Sequence, residues 1–301
     1  MATQNSQPTP MNFRSKSMRM NNARRTATNY FINALSILAT IIVIIPLIAI
    51  LFYLVYKGAS SLNVAFFTHI PAPVGETGGG MANSIVGSGI ILLVASLMGI
   101  PIGIAAGVYL AEFGQGKMLA TAVRFTADVL NGVPSIVMGI SIYSLIVIQQ
   151  KHFSALAGGV ALAIMMIPTV TRTTEEMLAT VPHAIREAAL GLGVPKWRTA
   201  ISVSLRTASP GIITGCMLAF ARVAGETAPL LFTAFGNQFW SVKLNEPIAA
   251  LPLQIYVYAL SPYDEWHRLA WAGSLVLIVM IMVSVTLVRI FANRGVFKGG
   301  S

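Results

Sequence analysis

The sequence carries a single cysteine, Cys216, in 301 residues, so no disulfide and no cysteine-based metal site can form within the chain. Charge is almost as scarce. Asp, Glu, Lys and Arg together make 10% of the residues, where a soluble domain carries about 25%. That shortage excludes an ordinary soluble globular protein. Acidic residues are the rarer sign, 10 against 20 Lys and Arg, giving a formal net charge of +10. Such a balance raises nucleic acid or acidic lipid as partners. Most of the basic residues flank apolar runs, however, as topology signals do, so no nucleic acid is expected. Catalytic signatures are missing as well. The 4 histidines, His69, His152, His183 and His267, fall in expected loops, and no His-x-x-x-His or Gly-x-Ser-x-Gly string occurs. An intramembrane enzyme would need a nucleophile–base set or a metal cluster within its spans. Gly78-Gly79-Gly80 precedes no Gly-Lys-Ser/Thr and follows no strand, so it reads as a flexible loop rather than a phosphate cradle. No ATP site is visible in the chain, and any ATP-driven activity needs another subunit.

Long apolar runs are what the chain has instead, with 55% hydrophobic residues. Residues 1–29 are polar and hold Arg14, Lys16, Arg19, Arg24 and Arg25 without an acid, which predicts a disordered basic cytoplasmic tail against an anionic leaflet. The remainder, 30–301, reads as a single transmembrane domain. The run 31–56 is about 26 residues, too long for the apolar core of a cleaved signal and enough for a tilted first span. Pro46 marks a kink within it. Further spans are expected near 83–111, 119–149, 153–180, 209–235 and 269–288. Between the last two, 248–260 is apolar but too short to cross, which predicts a re-entrant or interfacial helix. The fold class expected is an all-α integral membrane protein with six transmembrane helices and both termini cytoplasmic.

Basic residues test that orientation. The tail, Lys117, Arg124, Arg186, Lys196, Arg198, Arg206, Arg289, Arg294 and Lys298 fall inside, whereas only Lys57, Lys151, Lys243 and Arg268 fall outside. This is the positive-inside bias. Within the second span Gly99, Gly103 and Gly107 recur every four residues on one face, a stripe that lets another helix approach closely.

Arg172 and Arg222 belong to neither side. An arginine near the middle of a span raises the insertion cost by about 2.5–3.5 kcal/mol and survives where it meets a partner or a wet cavity. Two readings are open. Arg172 has Glu175 and Glu176 three and four positions on, and Arg222 has Glu226 at i+4, so both could form ion pairs that fix helix orientation. Alternatively the guanidinium groups line a polar path and hold a tetrahedral oxyanion, whose geometry their donor fork matches. Glu226 would then promote release by competing for Arg222. The third span is broken by Asn131-Gly132-Val133-Pro134, and such a break is tolerated only where protein or a watery cavity covers the freed backbone groups. It reads either as a packing kink or as the border of a substrate path; Asp128 beside it stays unassigned.

The polar stretch 181–199 lies between two spans and suits a pair of short helices. Arg186 to Leu190 form one, Gly191 and Gly193 allow a turn, and Pro195 opens the next. Glu187-Ala188-Ala189, Gly193 six positions after Glu187, and the aliphatic run through Ile201, Val203 and Leu205 resemble the EAA loop of ABC-importer permeases. The family often closes that loop with Leu-Pro, and here Arg206 follows Leu205. The resemblance implies an EAA coupling loop, 181–206, whose Glu187, Ala188, Ala189, Gly193, Pro195 and Trp197 dock on a separate ATPase subunit.

Asn131-Gly-Val-Pro-Ser-Ile-Val-Met-Gly139, Arg172-Thr-Thr-Glu-Glu-Met-Leu178, Ala219-Phe-Ala-Arg-Val-Ala-Gly-Glu-Thr-Ala-Pro-Leu-Leu231 and Asn237-Gln-Phe-Trp240 narrow the resemblance further. Together they look like the PstA-type permease family of phosphate ABC importers, over about 30–289. That resemblance implies a type I ABC-importer permease fold in a bacterial cytoplasmic (inner) membrane, with no cofactor of its own. ATP and Mg would be used by the partner ATPase. The partners implied are a PstC-type second permease subunit, two PstB-type ATPase subunits and a PstS-type phosphate-binding protein. Arg172, Arg222 and Glu226 match charged positions the family is thought to use for phosphate passage. Permeases for sulfate, molybdate or phosphonate remain alternatives, as does a non-transporting scaffold, for which buried arginines are hard to explain.

Overall fold

The computed structural model of the chain describes residues 16–73, 76 and 78–297, and it divides into two units, up to Leu54 and from Val55 onward. Helix α1, Lys16–Ala59, supplies all that is described of the first unit. It begins at Lys16, so residues 16–29 are helical where a disordered tail was expected; the rest of that tail lies outside the described residues. The helix continues through Pro46 without interruption. Its apolar side chains, Ile37 to Phe52 among them, are exposed within the chain, as suits a helix whose solvent is lipid. Thr40 Oγ1 donates to the Ser36 carbonyl at 2.8 Å, so this hydroxyl is satisfied inside the helix.

The second unit is built from α2 (Val64–Thr68), α3 (Ala82–Val108), α4 (Met118–Gly132), α5 (Ser135–Ile142), α6 (Ile148–Gln150), α7 (Ala155–Ala179), α8 (His183–Gly191), α9 (Lys196–Thr199), α10 (Leu205–Ala224), α11 (Ala228–Thr233), α12 (Leu251–Ala259) and α13 (Asp264–Phe297). Three π-helical turns, Tyr109–Phe113, Tyr143–Val147 and Ala200–Ser204, extend α3, α5 and α9. Among the described residues every regular element is helical apart from one bridge, Phe235 to Ile248. Five helical stretches are long and apolar enough to cross a membrane, and α4 with α5–α6 makes a sixth if that bent pair is one span. The break at Gly132–Pro134 turns this pair by 107°. It is sharper than a packing kink, because Val133 and Pro134 are both extended and a residue before proline is driven out of the helical region.

The core of this unit is the packing of α3 on α7. A Cβ added at Gly103 would lie 2.7 Å from Val170 Cβ, and one at Gly107 would lie 2.5 Å from Thr174 Cβ. Gly99 meets Ala163 and Met166 in the same way. The glycine stripe is therefore the seat of α7, and the two backbones approach as only small residues permit. Ile91, Leu92, Ala95, Leu162, Met166 and Val170 close the core with Ala219 and Val223 of α10.

Two expected boundaries move. The fifth span starts at Lys196, continuous with the cytoplasmic segment, and stops at Ala224 rather than near 235. The apolar stretch 248–260 forms α12, with Leu251, Leu253 and Tyr258 buried, and Tyr258 stacks on Trp266 at 4.6 Å between centroids. The long loop before it is stapled to the spans. Ala155 N donates to the Glu246 carbonyl at 3.0 Å, Leu156 N to the Leu244 carbonyl at 2.8 Å, and Asn83 Nδ2 to the Asn237 carbonyl at 2.9 Å. On its exposed side a hydrogen bond from Lys243 lowers the Glu246 carboxyl below its usual range.

Candidate functional site

Two groups of residues stand out, one along α4 and α7 and one on the hairpin of α8 and α9. On α4, Arg124, Asp128 and Asn131 recur at helical spacing and share one face. On α7, Thr169, Arg172 and Glu175 do the same. The two faces meet in an antiparallel ladder. Thr169 Oγ1 donates to Asn131 Oδ1 at 3.2 Å. Arg172 reaches Asp128 through two nitrogens, Nε to Oδ1 at 2.9 Å and Nη2 to the same oxygen at 2.6 Å, with Nη2 also against Oδ2. Arg172 Nη1 donates to Glu175 Oε2 at 3.2 Å, and Arg124 Nε donates to Glu175 Oε1 at 2.6 Å. Two cations and two carboxylates thus balance to no net charge. Arg172 keeps 31% of its side chain exposed and Asp128 55%, so the outer half of this network faces open space while Glu175, at 14%, lies beneath.

Of the residues expected from sequence, Arg172 and Asn131 come together here, and Gly132 and Pro134 form the bend immediately below. Glu176 is exposed and outside the network. Arg222 and Glu226 are not brought together. Helix α10 ends at Ala224, and Gly225 turns the chain out of the helix, so the i,i+4 spacing no longer places Glu226 on the arginine's face. Among the described residues Arg222 makes no ion pair; its side chain is exposed and that of Glu226 half-buried. The expected pair does not form in this conformation, so Glu226 does not compete here for the Arg222 guanidinium.

The two arginines also lie at different depths. Met177 packs at Gly211 and Thr173 at Gly215, an antiparallel register that sets Arg172 level with Cys216. Arg222 stands six residues further along α10, about 9 Å away along the axis at 1.5 Å per residue, toward the end remote from α8 and α9. One guanidinium is held between carboxylates, and the other has no ion-pair partner among the described residues.

On the hairpin, Leu192 N and Gly193 N close α8 onto the Ala188 and Leu190 carbonyls, and Val194 N returns to the Ala189 carbonyl at 3.2 Å. Gly193 sits at φ +78°, a region that glycine enters without a Cβ clash. Pro195 caps α9 rather than occupying its first helical position. Glu187 and Ala188 point outward, Leu192 is 86% exposed and Trp197 60%. These exposed apolar groups on a polar hairpin form a surface suited to a partner. Ala189 alone is buried in α8.

Arg186, read from sequence as a cytoplasmic topology charge, points inward. Its guanidinium donates to Glu112 Oε1 at 3.0 Å, Ser204 Oγ at 3.3 Å, the Val181 carbonyl at 3.1 Å and the Leu178 carbonyl at 2.6 Å. Glu175 is the ion-pair partner of Arg172 that its i+3 spacing allowed, whereas Glu112, Arg124 and Asp128 are the polar residues that sequence reasoning left out of the site. The spacing of Arg124, Asp128 and Asn131 against Thr169, Arg172 and Glu175 was the available signal for two of them.

Residues 99–295 match the family described as "Binding-protein-dependent transport system inner membrane component". The chain belongs to this family. It is 46% identical over 280 residues to the "Phosphate transport system permease protein PstA" of Yersinia pestis, covering 93% of this chain and 95% of that one. It is 49% identical over 231 residues to the protein of the same name from Xylella fastidiosa, covering 76% and 80%. A "Probable phosphate transport system permease protein PstA" from Methanocaldococcus jannaschii is 34% identical over 86% of this chain and 90% of its own. Among solved structures, the inward-facing MetNI methionine ABC transporter superposes with a TM-score of 0.56 at 18% identity, over 72% of this chain and 95% of that chain. The chain therefore has the type I ABC-importer permease fold. Its multi-pass membrane character and the hairpin of α8 and α9 both accord with that membership.

Proposed function

We propose that the chain is the membrane-spanning permease subunit of an ATP-driven importer that carries inorganic phosphate across a bacterial inner membrane. The observation that carries the anion reading is Arg222: a guanidinium in a span, exposed and without an acidic partner among the described residues. A cation within a membrane span and without a partner is costly, and a mobile oxyanion relieves that cost transiently. Phosphate in particular is supported by the relatives above, whose likeness covers most of the chain.

In this reading phosphate meets Arg222 first and Arg172 about 9 Å deeper. At Arg172 it must displace Asp128, which keeps binding weak enough for release. ATP and Mg act in two PstB-type subunits that grip the α8–α9 hairpin through Glu187, Ala188, Leu192 and Trp197. A PstC-type permease completes the pore, and a PstS-type binding protein delivers the anion on the opposite face. Closure of the ATPase pair drives the hairpin and rocks the spans between outward and inward states. The test is uptake of radiolabelled phosphate by cells with and without this chain. Uptake that depends on the chain and on ATP, and that excess sulfate, molybdate or phosphonate leaves intact, is expected. Competition by sulfate as strong as by phosphate itself would replace the substrate.

A further inference from the structure

The docking helix α8 is nine residues long and buries one alanine, Ala189, so little apolar contact holds it to the body of the subunit. The chain itself ties α8 at its two ends, to α7 through Val181 and Pro182 and to α9 through Val194 and Pro195. A rod held at two ends can still pivot about the line joining them. The third attachment is Arg186, in the middle of α8, and it faces inward.

Its partners come from three separate spans. Glu112 lies in the π-helical turn Tyr109–Phe113 that ends α3, and Ser204 in the π-helical turn Ala200–Ser204 that leads into α10. The Leu178 carbonyl belongs to the last turn of α7, where it also accepts from the backbone N–H of Val181 at 3.2 Å and where the helix dipole favours a cation. The Val181 carbonyl lies just beyond it. A guanidinium has five N–H donors in a fixed fork, and this one uses them on all three spans at once. Both charged side chains are largely enclosed, with 15% of Arg186 and 8% of Glu112 exposed. A solvated surface pair would look different. The covalent chain does not join α8 to α3, so the Arg186–Glu112 pair supplies that link. Local π-helical turns favour functional positions, and here two of them meet at one side chain.

We propose that Arg186 is a positioning residue that makes the docking helix rigid with the inner ends of α3, α7 and α10, and that Glu112 is its charge partner in this role. Force applied to α8 by an ATPase subunit then moves the three spans as one body instead of rotating a loose hairpin. This inference rests on the importer reading above. Because the outward residues Glu187, Ala188, Leu192 and Trp197 are not involved, loss of the brace should uncouple the machine without releasing the ATPase.

The experiment uses the complete transporter in proteoliposomes, with two readouts: phosphate taken up per ATP hydrolysed, and co-purification of the ATPase with the permease. In Arg186→Gln and in Glu112→Gln, uptake per ATP should fall about fivefold or more, the lower range of typical coupling between sites, with co-purification kept. Arg186→Lys should lie between, since it retains the charge toward Glu112 but not the fork. The double variant should be no worse than Arg186→Gln alone, because residues that share one interaction are not additive. Unchanged uptake per ATP in both single variants would overturn the proposal, as would additive losses in the double. Loss of co-purification in Arg186→Lys and Glu112→Gln alike would overturn it in favour of a folding or docking role. Failure of the importer reading is distinct: the unmodified complex would then show no ATP-driven phosphate uptake at all.

Discussion

Asp128 of α4 grips the guanidinium of Arg172 on α7 through both Nε and Nη2, so a carboxylate occupies the donor fork that a phosphate would use. Carboxylate and phosphate compete for the same bidentate geometry. The pair is open enough to exchange, because neither side chain is enclosed. Asp128→Asn should therefore hold the anion more tightly and release it more slowly. An exposed pair contributes about 0.2–1 kcal/mol, so half-saturation should fall up to about fivefold with a comparable fall in maximal rate. Uptake kinetics over a range of phosphate concentrations measure both. Identical curves for the two proteins would remove Asp128 from the path.

Arg222 and Glu226 give a second test, since the end of α10 at Ala224 separates them. Arg222→Ala should abolish phosphate uptake, whereas Arg222→Lys, which keeps the charge but loses the fork, should retain part of it. Glu226→Gln should leave more uptake than either, measured in the same cells with equal amounts of membrane-inserted protein. If Glu226→Gln were as damaging as Arg222→Ala, the two side chains would have to meet in another conformation of the transporter.

Those two pairs also mark how far the sequence could be read. Spans, glycine stripe and the α8–α9 hairpin follow from period and length, because one helix face or one turn is a local pattern. The end of α10 was legible in principle, as Gly225 is a common helix stop, but an apolar run through Leu231 conceals it. The same concealment works in reverse at the start of the fifth span. Arg198 and Arg206 interrupt the hydropathy there while the helix continues. Asp128 could not be assigned from α4 alone, since its role depends on which face of α7 it meets. Arg186 misled for a related reason: a basic residue on a cytoplasmic loop reads as a topology signal until the carbonyls at the end of α7 are placed beside it.

The outward face of the hairpin makes a third prediction. Glu187→Arg reverses a charge that is exposed and bonded to nothing in its own chain among the described residues, so insertion and folding should be unaffected. Binding of the ATPase subunit should be lost, and with it uptake. Leu192→Asp should act in the same direction, because Leu192 is 86% exposed and a central apolar anchor commonly carries about 2 kcal/mol or more of an interface. Co-purification of the ATPase with tagged permease from detergent reads both variants. Full recovery of the ATPase with either one would place the docking surface elsewhere.

Packing of α3 on α7 supplies the last prediction, with a control in the same helix. A side chain at Gly103 must enter space held by Val170, whose Cβ would be 2.7 Å from the new Cβ, and the Ile167 carbonyl would be 3.1 Å away. Neither the backbone oxygen nor a β-branched side chain within a helix can swing aside. Gly103→Val should therefore force the two helices apart, at a cost of about 1–3 kcal/mol for overpacking. It should lower the thermal midpoint of the purified permease and reduce its amount in membranes. Gly89 lies on the same helix, but a Cβ there meets nothing within 4 Å. Gly89→Ala should leave the midpoint unchanged or raise it, since alanine in a helix is favoured over glycine by about 0.5–1 kcal/mol. Equal midpoints for Gly103→Val and the unmodified protein would mean that α3 and α7 are not seated on the glycine stripe.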